Sequence, residues 1–239
     1  MKRFCELVVG VSFLLLGTML LPGLASSATD DQSEAIRSAP VFGPTVKLFN
    51  GKDLQGWTAF FNNGSSNPAD AFFVEEGILK CKGKPIGYIQ TKKKYESFEL
   101  HVEWRFVPEK GAGNSGVLLR VTGEDKVWPR SIEAQLHSRN AGDIWNIGEY
   151  PMKADAGRTK GRRTIKAHET NEKPLGEWNS YRILLDGKNL TLEVNGLVQN
   201  KAVDCEVVPG RIGFQSEGAW IEFRKIELRP IIGATRKSP

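Results

Sequence analysis

Cysteine and histidine are scarce in this sequence, three of each in 239 residues. So few cysteines exclude a disulfide-dense scaffold. Three scattered histidines, with no HxH or HExxH spacing, exclude a histidine-built metal centre. Long helical periods, internal repeats and strand–helix alternation are also missing, which excludes Rossmann and α/β-barrel folds. Charge of one sign is in short supply: 33 Lys+Arg stand against 28 Asp+Glu, a net +5. That surplus is too small to indicate nucleic-acid binding. What remains, 40% hydrophobic and 26% charged residues, is the composition of an ordinary globular domain able to bury its own core.

The one long apolar run lies at the N-terminus. Lys2 and Arg3 precede an apolar stretch from Leu7 to Leu21, Pro22-Gly23 breaks it, and Ala25 or Ala28 offers a small residue for cleavage. This is the pattern of a secretory signal peptide over 1–28. About 15 apolar residues fall short of the roughly 20 that span a bilayer, so the membrane is expected to be met only through this segment before its removal. Residues 29–44, with two prolines and few apolar side chains, predict a linker, and 231–239 predict a frayed tail. Export would leave Cys81 and Cys205, which an oxidising exterior permits to pair. Two separately buried thiols fit the sequence nearly as well.

Between 45 and 230 the dominant period is two, the mark of strands with one buried face. In FELHVEWRF, Phe98, Leu100, Val102, Trp104 and Phe106 share one side, while Glu99, His101, Glu103 and Arg105 share the other. Further strands are predicted at 115–121, 131–137, 211–217 and 220–228. Asp186-Gly187 and Asn195-Gly196 between apolar runs predict a three-stranded meander over 181–203. Many short antiparallel strands predict an all-β, two-sheet sandwich of jelly-roll type. The segment 138–176, rich in Gly, Asn, Arg and Lys, predicts a long loop insertion of the kind that usually carries function.

An ordered set of phrases runs through this domain: LFNGKDLQGW (48–57), GNSGVLLRV (113–121), WPRSIEAQL (128–136), AGDIW (141–145), GEWNSYRI (176–183), VNG (194–196) and GRIGFQSEGAWIEFRKIEL (210–228). Together they resemble the 3-keto-disaccharide hydrolase domain family, over almost all of 45–230. The resemblance implies a concanavalin A-like jelly roll, secreted or periplasmic placement, and cleavage of the glycosidic bond of 3-keto glycosides.

The strand SIEAQLHS holds the main candidates. Ile132, Ala134 and Leu136 are expected to face the core, leaving Glu133, Gln135 and His137 on the opposite face. Glucan hydrolases on related jelly rolls carry E-x-D-x-x-E on one such strand; here the equivalent positions are Glu133, Gln135 and Ser138, so the second carboxylate is missing. A conventional retaining mechanism, with two carboxyl groups about 5–5.5 Å apart, gains no support from this strand. A 3-keto sugar does not require it. The ketone acidifies the C2 hydrogen, a base removes it, the oxygen on C1 departs, and water adds. Such a site needs a base, donors for the enolate and an acid for the leaving group.

Glu133 is the expected base or acid, His137 its partner in the opposite proton role, and Arg120 the donor to the enolate oxygen. Arg120 has a plain alternative, a salt bridge to Glu133 or Glu103. Trp128 and Trp145 are candidate sugar-stacking platforms, and Gln135, Asn114, Asp143, Glu149, Gln215 and Glu103 candidate hydroxyl partners. Trp57, Trp104 and Trp178 are assigned to core filling, and the strip around His101 to a solvated face or groove wall. No cofactor is required, although calcium or another divalent ion on carboxylates and carbonyls is compatible with a jelly roll. RTKGRRTIK (158–166) lacks interleaved aromatics, so it predicts a solvated basic loop rather than a nucleic-acid site. The function class left beside the hydrolase is a non-catalytic carbohydrate-binding module on the same face, followed by an interaction domain for a cell-surface partner.

Overall fold

A computed structural model describes residues 39–234. The expected signal segment 1–28, residues 29–38 of the expected linker and residues 235–239 of the expected tail lie outside the described residues. In chain order the strands begin with β1 (Pro40–Phe42), β2 (Val46–Lys47), β3 (Trp57–Phe61), β4 (Phe72–Glu75), β5 (Ile78–Cys81) and β6 (Gly87–Thr91). They continue with β7 (Phe98–Phe106), β8 (Gly116–Thr122), β9 (Arg130–Gln135), β10 (Ile144–Ile147), β11 (Lys153–Ala154) and β12 (Thr159–Lys160). The last are β13 (Arg163–Thr164), β14 (Asn179–Asp186), β15 (Asn189–Val194), β16 (Leu197–Val203), β17 (Arg211–Ser216) and β18 (Ile221–Ala234).

Antiparallel pairing arranges them in two sheets. One runs β11-β16-β15-β14-β7-β18-β5-β4, with β1 and β2 also on β18; the other runs β12-β13-β10-β9-β8-β17-β6-β3. This is the jelly-roll sandwich that the period-two pattern predicts. Alternation in β7 sends Phe98, Leu100, Val102, Trp104 and Phe106 into the core between the sheets. Phe214 of β17 and Phe223 of β18 meet edge to face across the layers, their ring centroids 5.0 Å apart. Such a pair adds about 0.5–1.5 kcal/mol beyond its buried area. The meander expected over 181–203 forms and begins at Asn179, and Asn195 (φ 46°) and Gly196 (φ 83°) supply the two left-handed residues of a type I′ hairpin.

Several expectations are corrected. Linker and tail pair with each other: Pro40, Val41 and Phe42 stand opposite Ala234, Gly233 and Ile231, and Arg229 stacks 4.2 Å from the Phe42 ring. A pairing between chain ends leaves no local pattern to read. The 138–176 segment is not a bare loop; it carries β10 to β13, which lengthen both sheets at their edges. Trp178 lies outside the core, half-buried between the guanidinium groups of Arg105 (4.5 Å) and Arg224 (4.3 Å). Trp57 and Trp104 are buried core residues. Cys81 and Cys205 are separate buried free thiols, each pushed up to about 11 chiefly by burial.

Arg120 shows how a bulge overrides alternation. Simple parity places it with Leu118 on the outer face of its sheet. The register instead shifts between Leu119 and Thr122, and Arg120 takes φ 50°. Val121 consequently joins Leu118 in an outer cluster, and the Arg120 side chain is fully buried. Its guanidinium donates to the carbonyls of Glu96 (2.9 and 2.6 Å), Gly187 (2.8 Å) and Glu206. It therefore ties three separate segments together at one end of the sandwich. A carbonyl that loses its donor while shielded from water costs about 1–3 kcal/mol, so Arg120→Met, which strips donors from three carbonyls, is expected to lower stability in urea unfolding by about 2–4 kcal/mol. A variant as stable as the parent protein contradicts the clamp.

Candidate active site

The site is assembled on the outer face of the β9-containing sheet. In β9, Ile132 and Ala134 enter the core, so Glu133 and Gln135 emerge on the other side. Cross-strand register then fixes their neighbours: Glu133 stands between Trp145 of β10 and Leu118 of β8, and Gln135 opposite Gly116. A β-carbon on Gly116 would lie 2.5 Å from both the Glu133 Oε1 and the Gln215 Oε1. The bare glycine is what lets the carboxyl and the amide close over β8 from either side. Beside them opens a cavity of about 240 Å³. Glu133, Gln135, Trp145 and Ile147 line it from the sheet, Asn114, Trp128 and Glu217 from strand ends and loops, and Arg162 from the β12–β13 hairpin tip. Its volume falls below the roughly 300–1,000 Å³ of sites for drug-sized ligands, a size for a single small ring.

Two carboxyl groups share this space. Burial raises Glu133 to about 8, and the Glu217 charge pushes in the same direction; Gln215 and Arg162 offset part of the rise. Burial also raises Glu217, against a hydrogen bond from Asn114. At neutral pH Glu133 therefore holds its proton, and a carboxyl shifted in this way by its surroundings is suited to acid–base chemistry. Around them the Asn114 Oδ1, Trp145 Nε1 and Gln215 Oε1 are buried without a hydrogen-bond partner. Unsatisfied groups of this kind are costly in a folded protein and favour a polar ligand that meets them.

The cavity brings together six of the residues expected from sequence: Glu133, Gln135, Trp128, Asn114 and Trp145 line it, and Gln215 lies against Glu133. Five others stand elsewhere. Arg120 is the buried clamp already described. His137 is exposed beyond the end of β9, its ring bonded to Asn140 (2.9 Å) and the Ser138 carbonyl (3.0 Å). The strand stops because the Gln135 Oε1 accepts from both the Leu136 and His137 amides at 2.8 Å, which turns the chain. Asp143 is buried in an ion pair with Arg163 (Nε to Oδ2, 2.7 Å) and accepts from the Lys166 amide. Glu149 occupies an exposed turn at φ 53°. Glu103 is on the outer face of the other sheet, bound to Arg224 and Lys225.

Sequence reasoning missed Glu217, Arg162 and Ile147. Glu217 shares the parity of Gln215, a usable signal. Arg162 follows Gly161 at the middle of the basic run, where a hairpin turn was legible. Among the described residues no three His, Cys, Asp or Glu side chains converge as a metal donor set.

The raised Glu133 has a consequence for stability. Between the ordinary glutamate value of 4.5 and about 8 the native protein keeps a proton that the unfolded chain has lost. The unfolded state then binds fewer protons, so stability falls as pH rises, by up to about 1.4 kcal/mol per pH unit. Glu133→Gln removes this loss. Its melting temperature is expected to gain on the parent protein progressively from pH 5 to pH 8; a difference independent of pH contradicts the burial of an unpaired acid.

Comparison with known proteins places this geometry. The profile of the 3-keto-alpha-glucoside-1,2-lyase-like domain matches residues 44–229. A 3-keto-disaccharide hydrolase of Bacteroides thetaiotaomicron is 28% identical over 157 residues, 59% of this chain, and the match spans only 52% of that relative's length. Among solved structures, a candidate glycosyl hydrolase of Parabacteroides distasonis superposes with a TM-score of 0.57 at 22% identity, covering 79% of this chain and 100% of the other. A β-glucanase of Bacillus licheniformis gives 0.52 at 13% identity over 82% and 99%. These two likenesses establish the shared jelly-roll fold. With the family profile covering the sandwich nearly from end to end, the chain belongs to the 3-keto-alpha-glucoside-1,2-lyase-like domain family.

Proposed function

We propose that this protein is an exported hydrolase that cleaves the glycosidic bond of 3-keto glycosides by elimination followed by addition of water. One observation carries the reading: a proton-holding Glu133 and a second carboxyl, Glu217, in a cavity sized for one sugar ring. Family membership and the Bacteroides relative's name support the substrate class, and the N-terminal signal pattern supports export.

In this reading the ring lies between Trp128 and Trp145, with its hydroxyls on Asn114, Gln135 and Gln215. Glu217 takes the proton from C2, and the C–H electron pair moves into the ketone to give an enolate. The enolate re-forms the carbonyl, a C1=C2 double bond forms, and the C1–O bond breaks. The departing oxygen takes the Glu133 proton. Water then adds: its hydroxide goes to C1, its proton returns to Glu133, and Glu217 returns the first proton to C2. Both carboxyls end as they began, and the net change is hydrolysis. A buried acid with a value near ambient pH is suited to its part, because general acids work best when their pKa lies close to the working pH.

The test compares 3-keto-lactose and 3-keto-trehalose with the unoxidised sugars. Free sugar is expected from the keto substrates alone, and none from either keto substrate defeats the reading. Glu133→Gln is expected to slow cleavage about 10²–10⁴-fold. A nitrophenyl 3-keto-glucoside, whose leaving group needs no proton, should restore most of that loss. The fall of kcat/KM with rising pH, centred near 8 as Glu133 loses its proton, should also disappear with the activated substrate. Equal losses on both substrates would remove Glu133 from the acid role.

A further inference from the structure

The elimination moves the negative charge of Glu217 onto the ketone oxygen, which then needs a donor of its own. Arg120, buried and spent on backbone carbonyls, does not serve as the cation expected to meet that charge. One cation does line the cavity. Arg162 sits at the tip of the β12–β13 hairpin, after Gly161 (φ 58°), with its carbonyl held by the Asn146 amide at 2.8 Å. Its guanidinium lies 5.7 Å from the centre of the Trp145 ring, the side chain that stands opposite Glu133 in the sheet.

Three cations of the basic run are occupied, Arg163 by Asp143 and Asn140, Arg158 by Asp155 and Asn200, and the Lys166 Nζ by the Arg139 carbonyl, while Lys160 does not line the cavity. Among the described residues the Arg162 guanidinium has no carboxylate within 4.0 Å and no protein acceptor. It is an exposed cation at the cavity mouth whose field reaches Glu133.

Resting on the proposed function, we infer that Arg162 is the catalytic electrophile: its guanidinium donates to the ketone oxygen of the bound sugar and holds the enolate. Guanidinium stays protonated throughout, so it stabilises the oxyanion without joining the proton exchange between Glu217, substrate and Glu133. Its fork of donors fits an oxygen turning from carbonyl to enolate. The hydroxyl oxygen of an unoxidised sugar develops no negative charge and gains no transition-state stabilisation from this group, so Arg162 also becomes a determinant of keto specificity.

The experiment follows the two halves of the reaction separately, with 3-keto-lactose in D₂O monitored by proton NMR. Loss of the C2 hydrogen signal reads enolate formation, and appearance of free sugar reads C1–O cleavage. Arg162→Gln is expected to slow both by about 10²–10³-fold with little change in KM. Its melting temperature should match the parent protein, since the tip is exposed. Arg162→Lys should keep part of the rate, and added guanidinium chloride at millimolar concentration should restore part of the Gln variant. Glu133→Gln should instead retain exchange while losing cleavage. Exchange and cleavage in Arg162→Gln within threefold of the parent, or a loss confined to KM, overturns the inference. A parent protein that neither exchanges nor cleaves defeats the proposed function, and this role with it, while the Arg162 variants distinguish the two failures whenever the parent is active.

Discussion

A carboxyl on the outer face of a β-sheet ordinarily meets water or a cation and stays ionised. Among the described residues Glu133 is buried and has no ion-pair partner. It is buried among Trp145, Leu118 and Gln215, with the Glu217 carboxyl as its acidic companion in the cavity. Everything distinctive about the site depends on this arrangement: the proton held at neutral pH, the stability given up to keep it, and the division of labour with Glu217. Burying an unpaired acid is costly, and the fold supplies the rigidity that holds it in place.

The other sheet shows the same alternation with the opposite result. Three of its outward carboxylates are met by arginine: Glu99 by Arg182 and Arg229, Glu103 by Arg224, Glu222 by Arg105. Despite partial burial, these bonds hold Glu99 and Glu103 below the usual glutamate range. Two faces of one sandwich therefore carry carboxylates of contrasting kinds. One set is neutralised by partners and helps to cover a surface; the other is isolated from partners and poised to move protons. The sandwich core, clamped by Phe214 against Phe223 and at one end by Arg120, keeps the two faces independent.

Much of this was legible in the sequence because alternation is a local property. The strands of the sandwich, the Asn195-Gly196 hairpin and the outward placement of Glu133 and Gln135 all follow from side-chain parity. The failures occur where parity is interrupted or where partners come from far along the chain. A bulge turned Arg120 inward, and a side-chain cap from Gln135 ended β9 before His137 could share its face. Pairing of Pro40–Phe42 with 231–234, and the stacking of Trp178 between Arg105 and Arg224, depend on sheet register across more than 40 residues. Glu217 is intermediate: its parity with Gln215 was readable, but its approach to Glu133 required knowing that β17 lies beside β8. The second carboxylate absent from the β9 strand thus arrives from a neighbouring strand's end.

The central claim is the state of one carboxyl, which carbon-13 NMR of glutamate-labelled protein observes directly. Titrated from pH 4 to 10, one side-chain carboxyl is predicted to change near pH 8 and to vanish from the spectrum of Glu133→Gln. A protein in which every glutamate completes its titration below pH 6 would contradict the account.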